Sequence, residues 1–185
     1  PTKFPVPVIK DLDSIPTPNY DKEAKKRRDF RKVTTLTIDP VDAKDFDDAL
    51  SFKELDDEIT EIGVHIADVG HFVKEKSIID NEAFQRGNSV YLVDRVIPML
   101  PEKLSNGLCS LRPKEDKLTF SVVFKINKEG KVLDTWFGKT VIHSNHRFNY
   151  EEVQEIIEGK NNTFSKEINV LNALAKIIRS KRLDS

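Results

Sequence analysis

The ten residues from Asp39 to Asp48 hold five aspartates, and the runs on either side constrain how such a segment folds. Upstream, Val33 to Ile38 (VTTLTI) is β-branched and alternating, the pattern of a half-buried strand. Downstream, Ala49 to Leu55 reads as a second strand, followed by an acidic turn at Asp56-Asp57-Glu58. Ile62, Val64 and Ile66 alternate beyond that turn as a hairpin partner. The aspartates therefore lie in a polar loop between two predicted strands. Carboxylates crowded in this way repel one another, which raises their pKa values and costs stability. A hard divalent cation relieves the repulsion, and magnesium takes about six oxygen ligands in an octahedron. In an extended chain Asp45 and Asp47 share a side while Asp48 points away, so a common site needs a bend. Asp39, at the end of its strand, meets the others across that bend. An EF-hand is excluded because the loop has no glycine; an acidic surface turn without a ligand is the competing reading.

The rest of the chain reads as mixed α and β. Ser77 to Gln85 has helical spacing, with Ser77 as N-cap and Gly87 as stop. Leu118, Phe120, Val122, Phe124 and Ile126 alternate, and the turn Asn127 to Gly130 leads back through Val132 to Val141, a second hairpin. Asn149 and Glu152 form a capping box ahead of a helix whose stripe is Val153, Ile156 and Ile157 and which ends at Gly159. A last helix from about Glu167 places Val170, Leu171, Leu174, Ile177 and Ile178 on one face. The expected fold is a mostly antiparallel or mixed sheet with flanking helices. Five prolines in the first 18 residues predict an extended linker. The basic cluster between Lys22 and Lys32 is either a solvated helix face or a phosphate-contacting patch.

Composition narrows the class. At 185 residues there is room for one domain with a real core. No apolar run approaches the roughly 20 residues of a membrane helix, and the start lacks the features of a signal peptide. A single cysteine, Cys109, excludes an internal disulfide and fits the cytoplasm; within its apolar turn it reads as packing. A net charge of −1 leaves RNA binding open, since charge distribution matters more than the total. His65, on an alternating strand, reads as a packed side chain. His71, His143 and His146 lack zinc spacing. Asn106-Gly107 predicts a tight turn.

The stretch from Thr37 to Leu50 resembles the first signature of the ribonuclease II and ribonuclease R catalytic domain, the RNB domain. The resemblance continues through His65-Ile-Ala-Asp-Val69 and Arg86-Gly-Asn-Ser-Val-Tyr-Leu92. It is densest from Val96 to Leu111, in wording most like bacterial ribonuclease R. It implies a metal-dependent, processive 3′-to-5′ exoribonuclease that degrades single-stranded RNA to nucleoside 5′-monophosphates with Mg2+, with Mn2+ as a substitute. By position, Asp39, Asp45, Asp47 and Asp48 match the family's catalytic, metal-holding aspartates, while Asp42 falls where the family varies. Tyr91 matches an aromatic that stacks on a nucleotide, and Tyr150 a tyrosine close to RNA. Residues 1–27 are then a linker from a preceding OB-type domain, and residues 28–185 the N-terminal portion of the catalytic domain. The family's catalytic arginine and RNA clamp belong to later segments, so the chain is expected to be feebly active and prone to self-association. No membrane and no DNA partner is expected. Two further readings stand: a catalytically silent RNA-binding relative, and a metal-dependent phosphatase or DNA nuclease with the same ligands.

Overall fold

The computed structural model describes residues 3–183. Its strands are β1 (Arg28–Asp29), β2 (Thr34–Ile38), β3 (Asp48–Glu54), β4 (Ile59–Ala67), β5 (Val90–Tyr91), β6 (Val96–Ile97), β7 (Asp116–Asn127), β8 (Val132–His143) and β9 (His146–Phe148). Seven of them form one sheet in the order β1-β8-β7-β4-β3-β2-β9, and β5 and β6 form a separate ribbon. The inner pairings are antiparallel, as the two predicted hairpins require. The outermost ones, β1 with β8 and β2 with β9, are parallel. The sheet is therefore mixed, as expected. β1 covers β8 only at Thr140 and Val141.

The helices are α1 (Val6–Ser14), α2 (Tyr20–Ala24), α3 (Val69–Phe72), α4 (Ile78–Arg86), α5 (Tyr150–Ile157) and α6 (Ser165–Leu183). Their ends follow the local chemistry. The Ser77 hydroxyl accepts from the Asp80 amide, and Gly87 closes α4 with φ 76°, a conformation that glycine adopts without a Cβ penalty. Asn149 and Glu152 cap α5 reciprocally. Against one sheet face pack Val8 and Leu12 of α1, Ile79 of α4, and Leu104, Cys109 and Leu111 from the segment before β7. On the other side α6 inserts Leu174 against Ile62 and Ile126. Leu36 and Phe148 meet Ile156 of α5 and Ile168 of α6 in a third cluster. None of the described helices is long and apolar enough to cross a membrane.

Two expectations are corrected and a third is refined. The proline-rich start is not an extended linker throughout, because residues 6–14 form α1. Pro5 and Pro7 sit at its N-cap and first turn, where no backbone donor is needed, and Val8 and Leu12, four apart, bury on the core. The basic cluster divides: Lys22, Lys25, Lys26 and Lys32 are exposed, as a solvated face requires, whereas its three arginines are engaged in ion pairs. Arg27 pairs with Glu23 and Asp68, Arg28 with Glu61, and Arg31 with Asp21, Asp29 and Asp116. Asn106-Gly107 is not a tight turn, since it lies inside a π-helix, Lys103–Leu108. There the Gly107 carbonyl accepts from the Lys117 ammonium at 2.6 Å.

Candidate active site at the aspartate loop

The loop between β2 and β3 is shaped by one buried aromatic. Phe46 is 8% exposed, and its backbone is held on both sides. Its amide donates to Ser110 Oγ at 3.1 Å, and its carbonyl accepts from the Leu111 amide at 2.8 Å. Ser110 Oγ donates in turn to the Lys44 carbonyl. Side chains alternate along an extended segment, so burying Phe46 turns its neighbours Asp45 and Asp47 outward together. The Ala67 amide then donates to the Asp47 carbonyl at 3.0 Å, joining the loop to β4. Asp48 opens β3 opposite Ile66. Asp39 sits just past β2, where its amide donates to the Phe148 carbonyl of β9 at 3.0 Å.

The four carboxylates feel one another. Burial pushes the Asp39 carboxyl above the usual range, and repulsion from Asp48 and Asp47 adds to this, against hydrogen bonding from the Thr37 side chain and the pull of the Arg147 guanidinium. Asp47 is exposed, yet the atoms around its carboxyl desolvate it, and Asp45 and Asp48 raise its pKa further. Asp39 Oδ2 is buried without a hydrogen-bond partner, an arrangement that a carboxylate tolerates poorly unless something positive joins it. Hard carboxylate oxygens are the donors that a magnesium-type cation prefers, so the donor chemistry fits such an ion. The convergence expected from the sequence is incomplete: among the described residues no three His, Cys, Asp or Glu side chains stand in ligating geometry. The conformation brings the aspartates within electrostatic reach of one another without assembling a cage.

Tyr91 reaches this cluster from the β5–β6 ribbon. Its hydroxyl donates to Asp45 Oδ2 at 3.1 Å while 67% of the residue remains exposed. Desolvation, the bond to Asp45 and the nearby carboxylates keep its phenol protonated. Tyr150 is exposed at the first turn of α5, two residues beyond the strand partner of Ile38.

Arg147 is the residue that the sequence reading missed. It pairs with Thr37 across β9 and β2 and donates from Nη2 to the Pro40 and Val41 carbonyls. Its guanidinium carbon lies 5.5 Å from the centre of the Phe46 ring. The local sequence, one arginine in a three-residue strand, carried no signal of a partner more than a hundred residues earlier.

The other titratable candidates are structural. His65 is fully buried, with Nδ1 2.6 Å from Ser121 Oγ and its ring edge-on to Phe30. Cys109 is buried, and its thiol pKa is pushed up to about 12 by burial. A cavity of about 640 Å3, lined by Tyr20, Lys103, Arg112, Lys117 and His143, does not include the aspartates. There Arg112 and Lys117 pair with Glu115, and His143 with Asp116.

Comparison with known proteins bears on the whole arrangement. Residues 27–185 match the model of the RNB domain. Ribonuclease R of Thermotoga maritima is 49% identical over 158 residues, covering 85% of this chain and 22% of that protein. A protein named inactive exonuclease DIS3L2, from Arabidopsis thaliana, is 43% identical over 152 residues, covering 82% of this chain and 14% of its own length. The structure of Mycoplasma genitalium RNase R in complex with ribose-methylated single-stranded RNA superposes with a TM-score of 0.87 at 30% identity, covering 97% of this chain and 29% of that one. The chain spans about a fifth of the length of the curated ribonuclease R relatives it matches.

Proposed function

This chain belongs to the RNB-domain family, and from that premise we propose that it carries the metal-binding part of a hydrolytic exoribonuclease. The parent protein would degrade single-stranded RNA processively from its 3′ end to nucleoside 5′-monophosphates, in the cytoplasm. The observation that carries the reading is the mutual repulsion within the loop, where Asp47 and Asp48 raise the pKa of Asp39, and Asp45 and Asp48 raise that of Asp47, beside a buried Asp39 Oδ2. A structural turn has no use for such a costly arrangement. Mg2+, or Mn2+ in its place, would supply Lewis-acid chemistry there, activating water and neutralising charge on the leaving 3′ oxygen.

The chain's own residues have distinct tasks in this reading. The four aspartates would hold the cation and would set where the terminal phosphate lies. Tyr91 fixes the Asp45 carboxylate through its hydroxyl, and its exposed ring offers a face for a base. Such stacking is worth about 1–3 kcal/mol per base without demanding a sequence. Tyr150, exposed near the end of β2, offers a second aromatic contact.

Family membership alone does not establish activity, since one relative is named an inactive exonuclease; a silent RNA binder is therefore the second reading. End-labelled single-stranded RNA with Mg2+, given to the full-length protein and to its Asp47→Asn variant, separates the two. Loss of degradation in the variant alone supports the proposal. Equal degradation by both refutes the aspartate assignment. Binding without cleavage by both selects the silent reading, and a single-stranded DNA substrate in parallel tests the choice of sugar.

A further inference from the structure

We propose that Arg147 is a positioning residue that clamps the aspartate loop and aims Asp39, an inference that rests on the reading above. Four observations converge on it. Nη2 donates to the carbonyls of Pro40 and Val41, the two residues directly after Asp39. The guanidinium lies over Phe46, whose burial turns Asp45 and Asp47 outward. The positive charge acts on the Asp39 carboxyl. Finally, among the described residues, three of the four buried side-chain polar atoms without a hydrogen-bond partner are Arg147 Nε, Asp39 Oδ2 and Thr37 Oγ1.

These three atoms belong to one small region. Thr37 and Asp39 are two residues apart, so they share a side of the extended chain, and Arg147 is the strand partner of Thr37. They are also chemically complementary. Nε–H donates only, a carboxylate oxygen accepts only, and a threonine hydroxyl does both. The Thr37 side chain already lies close enough to the Asp39 carboxyl to lower its pKa by hydrogen bonding, and a slight turn of the carboxylate, or one bridging water, brings Arg147 Nε into the set. One side chain thus touches both stems of the loop, through carbonyls after Asp39 and through the ring before Asp47. Only a planar guanidinium does this, since a lysine has a single nitrogen on a flexible stem and no flat face for Phe46.

Groups that orient metal ligands from behind typically change affinity by about 10–100-fold when removed. The test uses this chain, its Arg147→Ala and Arg147→Lys variants, and Asp47→Asn as a control. Hydrogen exchange of amides 41–48 without metal reports the clamp, with β4 and β7 amides as the internal standard. Mn2+ binding, followed by electron paramagnetic resonance, reports the aim of Asp39. Exchange in the loop should speed up at least about tenfold in both arginine variants, with the standard unchanged, and Mn2+ should bind about 10–100-fold more weakly. Unchanged loop exchange in Arg147→Ala overturns the proposal whatever the metal does. Wild-type behaviour of Arg147→Lys overturns the requirement for a guanidinium. If wild type and Asp47→Asn both ignore Mn2+ while the loop still loosens in the arginine variants, the clamp stands and the metal reading fails.

Discussion

Replacing Arg27 by alanine should destabilise the fold by about 3 kcal/mol, the lower part of the roughly 3–5 kcal/mol range for breaking a buried ion pair. The Arg27 side chain is 3% exposed and donates to Asp68 Oδ2 at 2.7 Å and to Glu23 Oε2 at 3.0 Å. A third nitrogen lies 3.2 Å from His71 Nδ1. Glu23 is 19% exposed and regains water when the arginine goes, whereas Asp68 at 9% does not. Lys139, 3.7 Å from the same Asp68 oxygen, offsets part of the loss. Urea unfolding of wild type, Arg27→Ala and Arg27→Ala/Asp68→Asn measures the effect, and neutralising the stranded carboxylate should recover about 1 kcal/mol or more. The pH dependence has a definite sign. Hydrogen bonding from Arg27 holds the Glu23 carboxyl below its ordinary range, so this contribution is present above the unfolded value of about 4.3 and is lost as pH falls through the lower folded value. The gap between wild type and variant should therefore narrow in acid. A loss below about 1 kcal/mol, the scale of an exposed pair, would refute the reasoning.

Burial lowers the His65 pKa to about 4. Stability should therefore fall as pH drops from about 6.5 towards that value, and a His65 ring that titrates above 6 by NMR would contradict this. In Gly63→Ala the new Cβ would lie 2.6 Å from His65 Nε2 and against Ser51 Oγ. Thermal melts should report about 1–3 kcal/mol of overpacking, and an unchanged melt would show that the interior gives way. Cys109, its thiol raised by burial to about 12, should resist a disulfide reagent in the native protein at pH 8 and react in urea; labelling of the folded chain would place it at the surface instead. β1 covers little of β8, so sedimentation should show concentration-dependent association through that edge, and a monomer at every concentration would count against it.

Much of the architecture was legible because it is local. Alternation of β-branched and aromatic residues placed β2, β3, β4, β7 and β8 to within a few residues, and capping chemistry at Ser77 and Asn149 placed the starts of α4 and α5. Both signals depend on neighbours a few positions away, which a single sequence displays. The aspartates were legible for the same reason, since five acids within ten residues is a statement about spacing. Misreadings arose where composition stood in for packing. Pro5 and Pro7 sit harmlessly at the start of a helix, and three arginines of the basic cluster pair with acids up to 85 residues away.

From sequence alone came the five longest strands, two helix caps, the acidic loop and the family resemblance. Only the tertiary structure decided how that loop is held: Phe46 buried under Ser110 and Leu111, Tyr91 bonded to Asp45, and Arg147 across both stems. The physical reason is the range of the forces involved. Strand alternation and capping follow from backbone geometry within a few residues. Parallel pairing of β2 with β9, and the burial of Asp39 Oδ2, exist only once distant segments have met and water has been excluded between them.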